Sequence, residues 1–548
     1  MSLFELFAAK IISDHEIQIL YRIDGIDIAA GPKTTLSAIA SGPGIPNDQN
    51  AALTGQYAQT AIWKRDPSTG VGRDFHSHIR DVVGGKREDL ATRWTLDGVA
   101  KRFLDSAALY EATDRTARVD KRMILSLSDA AQRRLSAHSI VTAELAVACK
   151  GITLTLFKTG HGFAATTLEL SRLDRGKVSA LELLEAQIAI GRFGMVRWAD
   201  VLDAGSPGGP AFRLVELVQL LALGTRGAAA PERVTTYTFA QFAEPLPTPA
   251  RDLFALHLAR HYSSDYQTAD EIEGVAFVRD FETVRHVVAL EGAATVIGTT
   301  PEAAPAPVFL QNFKTGTFHR HYLPVALLAR HEHAFLVTRT SASILTRKEM
   351  RDGPMTVRRL QELRETCLVF RLCYRFSELS SITMHNSLYR AFRQVLHLDR
   401  LTVELDADVE TVEAHLRELR QSEEREDEDQ KHRRYYWVTV IGAGALAGLT
   451  MFSITKEALG IFFHEAPPGA VEQVLKIFGW DLPYALIPKV AGLALGILTA
   501  IIGWVIAYLR GPRAGDADHK RAGHADHKTM ELMLEHMVEE RASDEERR

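Results

Sequence analysis

Two long uncharged apolar stretches near the C-terminus constrain this chain more than any other feature. Tyr435 to Ile454 holds no charged residue, and apolar character resumes after Lys456–Glu457, through Ala458 to Phe463. Val490 to Leu509 is the second stretch, preceded by Tyr484–Lys489. Each is about 20 residues, the length a helix needs to cross a hydrocarbon core about 30 Å thick. A helix on the surface of a soluble protein carries a polar face, and these carry almost none. The expectation is two transmembrane helices, 435–463 and 484–509, joined by an external loop, 464–483.

The flanks set the orientation. Tyr435, Tyr436 and Trp437 precede the first stretch, and Trp504 and Tyr508 sit near the end of the second, where aromatic rings favour the headgroup region. Lys431, Arg433 and Arg434 come before the first stretch, and Arg510, Arg513, Lys520 and Arg521 follow the second. The intervening loop sets Glu465, Glu472 and Asp481 against Lys476 alone. The positive-inside rule then puts both termini in the cytoplasm, for a multi-pass protein of the inner (plasma) membrane with the lipid bilayer as its first partner. Met1 to Ile12 is broken by Glu5 and Lys10 and lacks a basic start and a small-residue cleavage site, so no signal peptide is read there.

Within the stretches, small residues recur at helix-packing spacing. Gly444 and Gly448 form one GxxxG pair and Gly492 and Gly496 another, with Ala500, Gly503 and Ala507 continuing the second face. In lipid, close backbone approach supplies helix association energy, either within a hairpin or between copies. Polar groups share a different stripe. At 100° per residue, Thr439, Leu446, Thr450, Ser453 and Glu457 fall on one narrow face, with Ala443 and Gly442 beside them and Thr455 apart. A carboxylate facing lipid is costly, so Glu457 should face protein or water. Around an oligomer axis this stripe would line a pore, with an acidic ring at Glu457, a device that favours cations. The alternative is that Glu457 snorkels to the interface, or pairs with Lys456 or a neighbouring helix.

Upstream, residues 346–434 read as a helical stalk. Leu360, Leu363, Cys367, Phe370 and Tyr374 recur at helical spacing between Val357 and Leu398. A break is expected around Leu398–Asp406, then a second helix capped by Asp406 or Asp408, with Val409, Val412, Leu416 and Leu419 as its apolar seam. No Gly or Pro interrupts Val409 to Val440, so this helix should run into the first span. The acidic run Glu423–Asp429 followed by Lys431–Arg434 reads as a solvated face with juxtamembrane cations, or as an acidic belt for divalent cations between subunits.

Residues 1–345 read as an α/β or α+β cytoplasmic domain, with a subdomain edge near 224–231. Ile152–Phe157 and Phe163–Leu170 flank the turn Lys158–Gly162 as a β-hairpin. Arg233–Phe239, Gly274–Val278 and Ala334–Thr338 look like strands, Arg172–Ile190 and Ala211–Leu223 like helices, and Gly224–Pro231 and Thr299–Pro307 like loops. Little chemistry emerges. Gly31-Pro32-Lys33-Thr34-Thr35 lacks the glycine before the lysine and the spaced upstream glycine of a phosphate loop. No hydrolase, zinc-protease or kinase signature is present, so an enzyme has no sequence support. His319, His321, His331 and His333 form two HxH pairs, which on a strand would put both rings on one face as weak metal candidates, with Glu332 between the last two. The three cysteines, Cys149, Cys367 and Cys373, form no CxxC pair and read as reduced thiols. A net charge of −5 gives no basic excess for nucleic acid. In the tail, 510–548, Ala517-Asp518-His519-Lys520 is nearly repeated at Ala525-Asp526-His527-Lys528. An amphipathic helix with Met530, Met533, Leu534, Met537 and Val538 on one side follows, and His519, His524 and His527 are a sharper, metal-binding alternative to a polar linker.

The order of parts — an α+β cytoplasmic domain, a long helical stalk continuous with the first of two C-terminal spans, and both ends inside — resembles the CorA-type divalent-cation transporter superfamily. The resemblance covers roughly Thr299 to Arg510, with extra length at both ends. It implies a homopentamer whose first span lines the pore, and a divalent cation such as magnesium as cargo. The family's Gly-Met-Asn signature is missing, and Glu457, Ala458, Leu459 and Gly460 stand in its place. Three functions are compatible with this. One is a CorA-like cation channel or transporter, divalent or poorly selective. The second is a membrane effector, for example in bacterial defence, whose cytoplasmic domain senses a small-molecule or protein ligand. The third is a scaffold without conduction.

Overall fold

The computed structural model describes residues 3–35, 61–98, 121–140, 144–200, 211–224, 234–266, 272–299, 310–343, 354–465 and 487–510, apart from positions 69, 175, 193 and 311. The chain divides into two compact units, Met1–Ala414 and His415–Arg548. The described residues 354–414, within the expected stalk 346–434, fall in the first unit.

The strands of the first unit are β1 (Ile12–Asp24), β2 (Trp63–Arg65), β3 (Ala91–Leu96), β4 (Lys121–Ser126), β5 (Glu144–Phe157), β6 (His161–Arg172), β7 (Met195–Asp200), β8 (Phe212–Arg213), β9 (Thr235–Pro245), β10 (Val275–Val278), β11 (Val284–Ala289) and β12 (Gly292–Thr299). They form one mixed sheet in the order β10-β11-β12-β9-β1-β6-β5-β4-β7-β8, with β3 on β5 and β2 on β3. Only β12 and β9 pair in parallel among these contacts. The β5–β6 hairpin turns where the sequence indicates, and Gly160 takes φ +88° there, a region open to glycine.

The helices are α1 (Leu3–Ala9), α2 (Ser77–Val83), α3 (Asp129–Ala137), α4 (Ala180–Arg192), α5 (Leu214–Leu223), α6 (Thr248–Arg260), a π-helix (Phe313–Tyr322), α7 (Leu323–Ser343), α8 (Pro354–Cys373), α9 (Thr383–Val395), α10 (Leu398–Glu465) and α11 (Ile487–Arg510). Both faces of the sheet are covered, as the alternation along β1 dictates. Ile17, Ile19, Tyr21 and Ile23 enter a core with α1 and α4–α6. Leu20, on the opposite face, joins a second core built from α2, the π-helix and α7–α9. β11 repeats the pattern, sending Val287 and Ala289 to one core and Val284 and Val288 to the other. Each fully buried aliphatic or aromatic side chain contributes roughly 1.5–3 kcal/mol.

Three local expectations are corrected. Ala334–Thr338 is not a strand but lies inside α7. Its β-branched and aromatic residues suit a strand locally, yet Ala334, Phe335 and Leu336 pack in the second core, where tertiary burial overrides propensity. The helical break falls at 374–382 and 396–397 rather than at 398–406. Asp406 therefore caps nothing: it sits inside α10 and pairs with Arg371 of α8 at 3.1 Å. Asp408 likewise lies within α10.

In the second unit, the described residues are the remainder of α10 and α11. Residues 466–486, which hold most of the expected loop 464–483 and the start of the expected second span, 511–548, which hold the expected tail with its histidines and amphipathic segment, and 225–233 and 300–309, which hold most of the two expected loops Gly224–Pro231 and Thr299–Pro307, lie outside the described residues.

Candidate functional site

In the second unit α10 runs without interruption to Glu465, as the absence of Gly and Pro between Val409 and Val440 predicts. Among the described residues one helical segment, Arg420–Thr455, is long and apolar enough to cross a membrane, and Gly492–Ile506 is a shorter apolar helix. Only 6% of the apolar window in the first is buried, so it is not the core helix of this unit.

α10 and α11 touch through glycines. A Cβ added at Gly448 would lie 3.1 Å from the Gly496 carbonyl oxygen, and one at Gly496 would lie 2.9 Å from that of Gly448. Gly492 meets Phe452, whose Cδ2 would be 3.2 Å from an added Cβ. Gly444 and Gly503, from the same small-residue series, face open space in this chain. The polar stripe lies on the other side. Counting 100° per residue from Gly448, Thr439, Ala443, Leu446, Thr450, Ser453 and Glu457 all fall within about 40° of the opposite direction. All six are exposed. Thr439 and Thr450 each donate their hydroxyl to the carbonyl four residues back, at 2.8 Å. Such hydroxyls are satisfied within the helix and keep an acceptor lone pair outward.

The first unit holds a second candidate that sequence reasoning missed. A cavity of about 480 Å³ lies between the sheet and the π-helix. Its floor follows from strand register. Gln18 of β1 stands opposite Thr167 of β6, and Leu20 opposite Ala165. Ala165 stands opposite Thr153 of β5, and Thr155 of β5 opposite Arg93 of β3. Threonine and alanine keep this floor low, which leaves the space. The roof comes from Thr315, His319 and Arg320 of the π-helix and Leu323, Pro324 and Leu327 of α7. The wider turn of a π-helix recurs at functional sites.

Charge in the cavity is unbalanced toward cations. Burial pulls the Arg93 guanidinium below its ordinary value, while Asp66 opposes that effect. Among the described residues, neither Arg93 nor Arg320 has a carboxylate ion-pair partner. Among the described residues the buried Nε of Arg93 has no hydrogen-bond partner, nor does the buried Oε1 of Gln18. The Gln18 amide nitrogen is committed, donating to Glu16 and, at 2.8 Å, to Thr167 Oγ1. The one legible signal was polar alternation in β1, where Glu16 and Gln18 occupy inward positions of a strand covered on both faces.

The four histidines singled out in sequence are not brought together. His319 and His321 lie on the π-helix, and His331 and His333 on α7, so neither pair shares a strand face. Residues two apart on an α-helix diverge by about 200°. His319 Nε2 sits 2.9 Å from Glu16. His321 stacks on His385 and approaches Asp74 at 3.4 Å. His331 is buried against Phe157 and hydrogen-bonds Thr159 at 2.8 Å. Burial lowers the His331 pKa well below its ordinary value and that of His333 to about 4. Glu332 turns to Tyr389 and Arg393 instead of either ring. No group of three metal-ligating side chains occurs among the described residues. The three cysteines are free thiols.

No family model matches the chain. No curated protein matches it either. Among solved structures, it is similar to the CorA magnesium transporter from Methanocaldococcus jannaschii, at 12% identity over 57% of this chain and 96% of that one, with a TM-score of 0.20. At that score the likeness carries no argument about activity.

Proposed function

We propose that this chain is a CorA-like oligomeric membrane protein that conducts cations, divalent or poorly selective, with no catalysis assigned to it. α10 and α11 form its two-span hairpin in the inner membrane, and the polar stripe of α10 lines the pore. The observation that carries this reading is the opposition of two faces on one helix. α10 uses Gly448 and Phe452 against α11. Thr439, Ala443, Leu446, Thr450, Ser453 and Glu457 are left pointing the other way, exposed. Lipid penalises Glu457 there, and an axis shared by several copies does not. A pentamer follows the family resemblance, and Glu457 in each copy builds an acidic ring that concentrates cations. A second reading, control by a ligand of the cytoplasmic unit, is favoured by the cavity roofed by the π-helix.

Single cysteines test the pore face, introduced after Cys149, Cys367 and Cys373 are changed to alanine. In membranes, Thr450→Cys and Ser453→Cys react with a small water-soluble thiol reagent, and Leu449→Cys does not. Equal reactivity at all three positions, or none, contradicts a pore on this face.

A further inference from the structure

We infer that the cavity of the first unit binds a nucleotide-sized organic phosphate. This deepens the ligand-controlled reading above, and binding itself does not depend on conduction. The volume, about 480 Å³, falls in the range of small-molecule sites, roughly 300–1,000 Å³. Its chemistry selects an anion. Two guanidiniums, Arg93 and Arg320, line it, and neither is neutralised by a carboxylate ion pair among the described residues. Arginine forks match phosphate oxygens in pairs, and their charge counts for more where water is thin. Hydroxyls of Thr153, Thr155, Thr167 and Thr315 share the lining and can donate to the remaining phosphate oxygens.

A second observation points to the rest of the ligand. Gln18 is fully buried and lines the cavity, and its Oε1 has no hydrogen-bond partner among the described residues. A buried acceptor left alone costs on the order of 1–3 kcal/mol, which a ligand N–H or O–H would relieve. Inorganic phosphate offers charge to the arginines but fills little of a volume of about 480 Å³. An organic phosphate bearing amine or hydroxyl donors supplies both ends. Glu16, beside the site, is already engaged by His319 at 2.9 Å and by the Gln18 amide.

The test is calorimetric titration of the full-length chain in detergent with ATP, AMP, citrate and inorganic phosphate, with ion flux measured separately in liposomes. Saturable binding of ATP or AMP is expected, at least tenfold tighter than citrate or inorganic phosphate. Arg320→Ala, at an exposed position, and Arg93→Lys each weaken it tenfold or more, and Gln18→Leu weakens it without changing its salt dependence. The inference is overturned if neither nucleotide binds, if citrate or inorganic phosphate binds as tightly as the nucleotides, or if Arg320→Ala and Arg93→Lys leave affinity unchanged in protein with wild-type circular dichroism. Binding without any flux would refute the conduction reading and leave this one standing.

Discussion

Glu332 and Arg393 show how a buried charge is tolerated. Glu332 is 1% exposed. Burial pushes its pKa up, and Arg393 and the Tyr389 hydroxyl oppose that shift. Arg393 donates to it at 2.9 Å and Tyr389 at 2.8 Å, while the other guanidinium nitrogen reaches Asp399 at the start of α10. Removing one partner of such a pair leaves an uncompensated buried charge, at a cost of about 3–5 kcal/mol. Arg393→Ala is therefore expected to lower the urea midpoint of the first unit strongly, and adding Glu332→Gln should restore most of the loss. An Arg393→Ala midpoint equal to wild type would mean that the pair contributes nothing. The same pair explains why Glu332 is not a metal ligand: both its oxygens are already committed.

Among the elements, legibility tracked how local the cause was. The β5–β6 hairpin was readable because alternation and a glycine turn lie within some 30 consecutive residues. α10 was readable as an unbroken helix for the same kind of reason. α7 was not, since what makes Ala334–Thr338 helical is burial against residues such as Phe370, whose ring centroid is 3.9 Å from that of Phe335. The cavity was beyond reach because Gln18 and Thr167 become neighbours only through the β1–β6 register. Of the five glycines read as packing residues, Gly448, Gly492 and Gly496 meet the partner helix, and Gly444 and Gly503 do not. A bulky side chain cannot enter where two backbones nearly touch. Gly448→Leu or Gly496→Leu should thus separate α10 from α11, read as loss of a disulfide cross-link between cysteines engineered at Phe452 and Gly492, which meet across the contact, whereas Gly503→Leu should keep it. Retention of the cross-link in Gly448→Leu would count against the contact.

Across the whole molecule, the first unit stores neutral histidines. Burial lowers the pKa of His286 to about 3 and those of His257 and His385 to about 4, from an ordinary 6.5. The unfolded chain protonates these rings below about 6.5 and the folded one resists, so the unfolded state binds more protons and stability falls as pH drops from about 6.5 toward 4. Each ring contributes up to about 1.4 kcal/mol per pH unit over that window. The melting temperature of the first unit should decline between pH 6.5 and 4.5, and His286→Asn should flatten the slope; a level profile would contradict this. Conduction through the α10 stripe is tested by cation flux in proteoliposomes, wild type against Glu457→Gln and Thr450→Val, with and without ATP. Wild-type flux is expected, and it should fall or lose cation preference in Glu457→Gln. Folded, oligomeric protein that passes no ions with or without ATP, or a Glu457→Gln variant indistinguishable from wild type, would contradict it.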